Sequence, residues 1–357
     1  MKTPAIFVAV FFLSCFFLNC DAPKQLATGE SDEILVFTDD TTWAALESIL
    51  RETFEDTVFT PQAEEWFTLR RMEFSHFDQF TTHKNRILVA PLNGEGPVAQ
   101  YLQAALDTTV RRMVSENEEF VFTKFDQHAR LQLTLYLTGS TLSTMRTSIA
   151  NRSADLLYYF SNMALKRELS IIAAESKYSK HEVEEDLLKK YGWTMTVSHD
   201  YDVAIDSASE RFFWMRRATP ADMERWIFIH WIENASPDHL TDEFAFKLRN
   251  ALTQRFLRTI EDEAYVETAP YNLEIQQVDF QGRFAYEMRG NWRFSDKTGG
   301  GPFVTYTFYD PGTRRIYLVD GSIFAPRVEK KKLILQVDGL LHTFRTHEAP
   351  TEQSSSQ

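Results

Sequence analysis

A chain of 357 residues that is 43% apolar, with 29 Phe, 13 Tyr and 7 Trp, holds ample core material and excludes a disordered protein; its length points to two domains or two halves. With 51 acidic against 38 basic side chains the formal net charge is −13, which excludes a protein built to neutralise a nucleic-acid backbone. Both cysteines, Cys15 and Cys20, lie near the start, so the rest of the chain has no thiol for a structural disulfide and must hold together by packing.

The first element is a leader. Lys2 supplies a positive start, and residues 5–18 form a nearly unbroken apolar run. A membrane-spanning helix needs about 20 apolar residues, so this run reads as a signal-peptide core over residues 1–19. It stops at Asn19-Cys20-Asp21, and an apolar run ending at a cysteine with polar residues behind it resembles a bacterial lipoprotein signal. Cys20 is the expected acylation site. Cys15 follows the small residue Ser14 but precedes three apolar residues, whereas Cys20 follows Phe17-Leu18-Asn19, where small residues are more usual. Residues 20–33 then read as a lipid-anchored flexible tether and residues 346–357 as a disordered tail, both small, polar and without period.

In the N-terminal half, residues 34–192, an apolar strand at 34–38 runs into Asp39-Asp40-Thr41-Thr42 and a helix on which Trp43, Leu46, Leu50 and Phe54 share a face. Strands are expected at 66–74 and 86–90, and Pro97 opens one helix reaching Met113. Leu131, Leu133, Leu135 and Leu137 alternate as on one sheet face. Residues 142–190 have helical spacing with a break near Tyr178, a capping box from Ser179 and Glu182, and Gly192 as the stop.

In the C-terminal half, residues 193–345, strands are expected at 194–197, 211–216 and 226–231, then a helix at 242–257. A meander follows at 273–280, 283–294, 303–309 and 314–319, with turns at Gln281-Gly282 and Pro311-Gly312. A last helix carries Leu333, Val337, Leu340, Leu341 and Phe344. The class is α+β: two halves of mixed or antiparallel sheet with packed helices, the second ending in a β-meander and a helix.

The stretches EILVFTDDTTW, ERFFWMRR, FAYEMRGNW with GGPFVTYTFYD, and IFAPRVEKKKLILQVDGLLHTF together resemble domain of unknown function family 4837, lipoproteins of Bacteroidota and related bacteria. The resemblance runs from about Ile34 to Phe344. Its most specific part is Arg289-Gly290-x-Trp292 with Gly300-Gly301-Pro302-Phe303. It implies a cell-envelope lipoprotein and brings no reaction, cofactor or partner with it.

Residue types nominate several sites, each with a structural alternative. Arg289, Trp292, Arg293, Gly300 and Gly301 flank one expected loop, where a guanidinium fork and free backbone N–H groups suit a carboxylate or sugar; the alternative is a hairpin with Arg289 paired to Glu287. Asp39 and Asp40 end a strand where open α/β sheets bind ligands, and equally where a helix needs a cap. The basic run of Arg327, Lys330, Lys331 and Lys332 suits anionic headgroups, another envelope protein or a solvated helix start. His230, among Trp226, Phe228 and Trp231, reads as a core histidine. The nine histidines show no zinc-ligand spacing, and no nucleophile elbow, phosphate loop or dinucleotide fingerprint occurs, so no catalytic residue, metal or cofactor is assigned.

The expectation is a non-enzymatic envelope lipoprotein, anchored on the periplasmic side or in the outer membrane, that serves as a binding or structural/interaction protein for an envelope protein or glycan. The alternative is an enzyme acting on cell-wall or glycan material. An enzyme calls for two acids, or an acid and a histidine, converging in a concave pocket; a binding module calls for an exposed aromatic patch. The sequence carries no sign of oligomeric state.

Overall fold

The computed structural model describes residues 24–347 apart from 59, 221, 222 and 260. The expected signal peptide, Cys20 and nearly all of the tail lie outside the described residues. Residues 24–33, expected to be tether, are held on the body: Lys24 Nζ donates to the Asp126 carbonyl, and Leu26 and Thr28 bridge to Arg130 and His83.

The N-terminal half contains β1 (Glu33–Phe37), α1 (Asp40–Phe54), the short pair β2 (Thr57–Val58) and β3 (Glu64–Glu65), β4 (Thr68–Met72), β5 (Asn85–Val89), α2 (Pro97–Ala105), α3 (Thr108–Ser115), β6 (Val121–Phe125), β7 (Leu133–Leu137), α4 (Leu142–Asn151), α5 (Ser153–Glu175) and α6 (His181–Tyr191). Its sheet has the order β4-β1-β5-β7-β6, parallel except for β6. Period-two alternation divides β1 between two cores. Ile34 and Val36 face α1, α4 and α5, while Leu35 and Phe37 face α2 and α3. A helical layer on each face is what a mostly parallel sheet requires.

The C-terminal half contains β8 (Trp193–Thr194), β9 (Asp202–Ser207), β10 (Phe212–Arg217), β11 (Glu224–Ile232), α7 (Asp242–Phe256), β12 (Val266–Thr268), β13 (Glu274–Phe280), β14 (Arg283–Phe294), β15 (Gly300–Asp310), β16 (Arg315–Phe324), α8 (Lys331–Leu341) and β17 (Arg345–Thr346). Eight antiparallel strands follow the order β12-β14-β15-β16-β11-β10-β9, with β13 also paired to β14. One sheet face packs under α8 and α6, the other under α7. The meander and final helix are as expected, and the class is α+β. No helix among the described residues is long and apolar enough to cross a membrane.

Three local differences have physical causes. The helix from Pro97 stops at Leu106 and restarts after Asp107, whose side chain accepts from Val110 N and caps α3. Ser179 contacts His181 Nδ1 instead of closing a capping box with Glu182, and α6 starts after Lys180 without a side-chain cap. Leu131 takes φ 60° outside β7, so three of the four alternating leucines share the sheet face. Gly192 ends α6 at φ 74°, in the left-handed region glycine favours.

Candidate functional site

The five residues expected at one loop sit instead in the β14–β15 ladder, where Trp292 pairs with Gly301 and Arg293 with Gly300. Alternation sends them to different faces. Trp292 is buried in the core under α7, beside Trp226 at 4.8 Å. Arg289 points to the α8 face, and Arg293 is held by Glu267 at 2.8 Å. These residues therefore form no loop pocket, because β15 begins at Gly300, three residues before the strand expected from 303.

On the α8 face, Arg289 Nη2 lies 2.7 Å from Glu287 Oε1 and 2.6 Å from Asp338 Oδ2. Tyr306 Oη lies 2.8 Å from Glu287 Oε1 and 2.8 Å from Asp338 Oδ1, so its one proton serves one acid at a time. His342 Nδ1 completes the group, 3.2 Å from Asp338 Oδ1. Burial opposes the charge on Asp338, but Arg289 and His342 overcome it and hold this carboxyl well below the usual range. Burial likewise opposes the charge on His342, and Asp338 raises its pKa above the ordinary value. Two acids and a histidine thus converge around an arginine that binds both acids.

Most of the remaining nominated groups have structural roles. Asp39 accepts from Thr42 N at 2.8 Å and caps α1, and Asp40 pairs with Arg71. Burial pushes the His230 imidazole down to about 4, which keeps it neutral. In the basic run, Lys330 and Lys331 offer backbone N–H groups to Glu64, the Lys331 ammonium lies 3.0 Å from Asp32, and Lys332 lies 4.0 Å from Glu30. That run joins the two halves.

Open space occurs at the carboxyl edge of the parallel sheet, where such folds place ligands. Leu92 N donates to the Gly139 carbonyl and aligns the segments leaving β5 and β7. Beside them Asn93, Gln103, Thr108, Arg111 and Ser115 line a cleft of about 480 Å³. Across α3, Asn117, Glu119, Thr144, Ser148 and Arg152 line a second of about 190 Å³. Arg112 pairs with Glu116, and Arg152 with Glu119 at 2.8 Å, whereas Arg111 has no side-chain partner among the described residues. Gln103 Nε2 is engaged by the Leu92 carbonyl at 2.5 Å. A free guanidinium with amides and hydroxyls around it suits a small polar or anionic ligand. Sequence reasoning missed Arg111 because nothing in its local spacing distinguishes it from a solvated helical arginine.

No curated protein matches the chain. Solved structures that resemble parts of it include the Ran-binding protein Mog1p of Saccharomyces cerevisiae (9% identity, 44% of this chain and 91% of that one, TM-score 0.30). Others are LpqN of Mycobacterium tuberculosis, described as involved in cell envelope biogenesis (9%, 42% and 79%, TM-score 0.28), and a protein of Bacteroides thetaiotaomicron (9%, 44% and 46%, TM-score 0.25). Likeness at these scores carries no argument. Family models divide the chain: residues 27–173 match the domain of unknown function DUF8532 and residues 180–343 match DUF4837, so the family resemblance read from Ile34 to Phe344 is matched over residues 180–343. Over residues 180–343 this chain belongs to the domain of unknown function family DUF4837, and a match to the domain of unknown function DUF8532 precedes it.

Proposed function

We propose that the protein is a non-enzymatic binding protein of the cell envelope, anchored through acylated Cys20, that takes a small polar ligand at the carboxyl edge of its N-terminal sheet. The carrying observation is Arg111, a guanidinium without a partner among the described residues in a 480 Å³ cleft. An envelope glycan fragment fits these amides and hydroxyls. The test is native mass spectrometry of the full chain incubated with envelope small-molecule extract. A bound adduct is expected for wild type and lost in Arg111→Ala at unchanged thermal stability; no adduct, or an equal one in both, overturns the reading. For the anchor, intact mass should show a lipid on the new terminus that Cys20→Ser removes.

The alternative, an enzyme acting on cell-wall or glycan material, has one observation in its favour, the convergence of Glu287 and Asp338 on Tyr306, with His342 against Asp338. Glycoside hydrolysis needs one carboxylic acid with a raised pKa to protonate the leaving group. Asp338 is displaced the other way. Ion pairing suits this cluster better than proton donation.

A further inference from the structure

At one end of the C-terminal sheet, three side chains stand level across neighbouring strands. Arg217 in β10 is directly opposite Arg225 in β11. Asp202 is opposite Arg216, so Tyr201 lies one residue beyond the ladder and level with Arg217. Both arginines share the parity of Met215 and Ile227, which belong to the core under α8, as does Tyr201.

The charges in this row do not cancel. Arg225 is 6% exposed, its Nε is buried, and its side chain has no hydrogen bond or ion pair to any described residue. Tyr201 is 2% exposed and its hydroxyl is likewise without a partner. Arg217 Nε lies 2.9 Å from Asp200 Oδ2, a charge contact without hydrogen-bond alignment. Two guanidinium groups thus share one carboxylate. The buried arginines on either sheet face nearby behave otherwise: Arg249 has Asp320, and Arg289 has Glu287 and Asp338. Leaving a buried cation unpaired destabilises a fold, and a chain that pairs its other arginines here has a reason to leave this one open.

The groups are within electrostatic reach of one another. Burial pushes the Arg225 pKa down, Tyr201 opposes that, and the charge of Arg217 adds to it. Burial pushes the Tyr201 hydroxyl up, and the charges of Arg225 and Arg217 pull it back. An anion placed among them relieves the repulsion between the arginines and accepts a hydrogen bond from the Tyr201 hydroxyl.

We propose that Arg225, Arg217 and Tyr201 form a binding site for a small oxyanion, the carboxylate or phosphate group of a ligand. A guanidinium fork matches either group in two hydrogen bonds, and the tyrosine hydroxyl supplies a third. Asp200 stays with Arg217, so among the described residues Arg225 is left to meet the anion. The site is in the other half of the chain from the Arg111 cleft and stands whether or not that cleft binds anything.

The test is thermal unfolding of the full chain at constant ionic strength, with sodium chloride replaced stepwise by sodium acetate or sodium phosphate. Wild type is expected to gain stability in at least one of them as concentration rises. Acetate alone assigns a carboxylate ligand and phosphate alone a phosphoryl ligand. Arg225→Met is expected to unfold later than wild type in chloride, because an unpaired buried charge is gone, and to lose the response. Tyr201→Phe is expected to keep wild-type stability in chloride and to weaken the response by about tenfold, one charge-assisted hydrogen bond. A wild type indifferent to both anions overturns the proposal. So does an Arg225→Met protein that unfolds earlier in chloride or responds as wild type does, and so does an unchanged response in Tyr201→Phe.

Discussion

The indole N–H of Trp292 donates to the Ile323 carbonyl at 3.1 Å, reaching it past Gly301. A Cβ on Gly301 would stand 1.8 Å from that oxygen. This explains why the arginine-glycine-x-tryptophan and glycine-glycine-proline-phenylalanine stretches occur together: they are cross-strand partners, and the glycine clears the path of the tryptophan. Gly301→Ala is expected to cost about 3 kcal/mol or more, since the obstructing atom is backbone and cannot swing away. Gly312→Ala, which meets only Asp310 at 3.6 Å, should stay within about 0.5 kcal/mol of wild type in urea denaturation.

Under α7, Arg249 and Asp320 form an ion pair at 2.7 Å with both side chains fully buried. Thr305 donates to Asp320 at 2.6 Å, Ser322 at 2.9 Å, and the guanidinium lies 3.4 Å from the Phe303 ring centre. Arg249→Met should cost about 3–5 kcal/mol because Asp320 is left charged and dry. The double variant Arg249→Met, Asp320→Leu should recover much of that loss, since removing both charges removes the desolvation cost. Denaturant midpoints of the two variants check this.

His230 and His342 should give stability opposite pH slopes. The His230 pKa in the folded chain is about 4, below the unfolded value of about 6.5, so the unfolded state binds the proton first. Its contribution is complete above about pH 6.5 and is lost as pH falls towards 4. The His342 pKa is raised, so its contribution is complete below about pH 6.5 and is lost as pH rises through the folded value. His230→Gln should therefore lose less stability than wild type between pH 7 and pH 4, by on the order of 2 kcal/mol. His342→Asn should be furthest below wild type in mild acid, with the gap closing as pH rises. Denaturation midpoints across pH 4–9 decide both.

What the sequence made legible follows burial. Strands with strong alternation or apolar runs, such as β1, β11 and β14, and helices with marked stops, such as α6 with Gly192, are readable because each residue's neighbours are local or periodic. The edge strand β9, whose Asp202, Val203 and Ala204 are exposed, gives no pattern to read. β6 at the rim of the other sheet is similarly half-polar. The expected pocket failed for another reason. Glycines at 300 and 301 suggest a loop when viewed along the chain, but their cause is a tryptophan on the strand to one side and a carbonyl on the strand to the other. Arg225 and Tyr201 are 24 positions apart and become neighbours only through register.

The join between the halves offers a last prediction. α8 begins without a side-chain cap of its own and without an acid in its first turn. Glu64, from the β3 strand of the other half, supplies both: its carboxylate accepts from Lys330 N and Lys331 N at 2.8–2.9 Å. The helix dipole favours that charge, and burial makes the uncapped N–H groups costly. Glu64→Ala should thus destabilise by about 1–3 kcal/mol, more than an exposed cap, whose orphaned groups water can reach. Five of the seven tryptophans, at 193, 214, 226, 231 and 292, lie in the C-terminal half, so their fluorescence reports its unfolding. A Glu64→Ala change made in the N-terminal half should lower the fluorescence midpoint in urea, and Glu64→Gln, which keeps an acceptor but not the charge, should fall between. An unchanged fluorescence midpoint would mean that α8 is held by packing alone and that Glu64 contributes nothing to joining the halves.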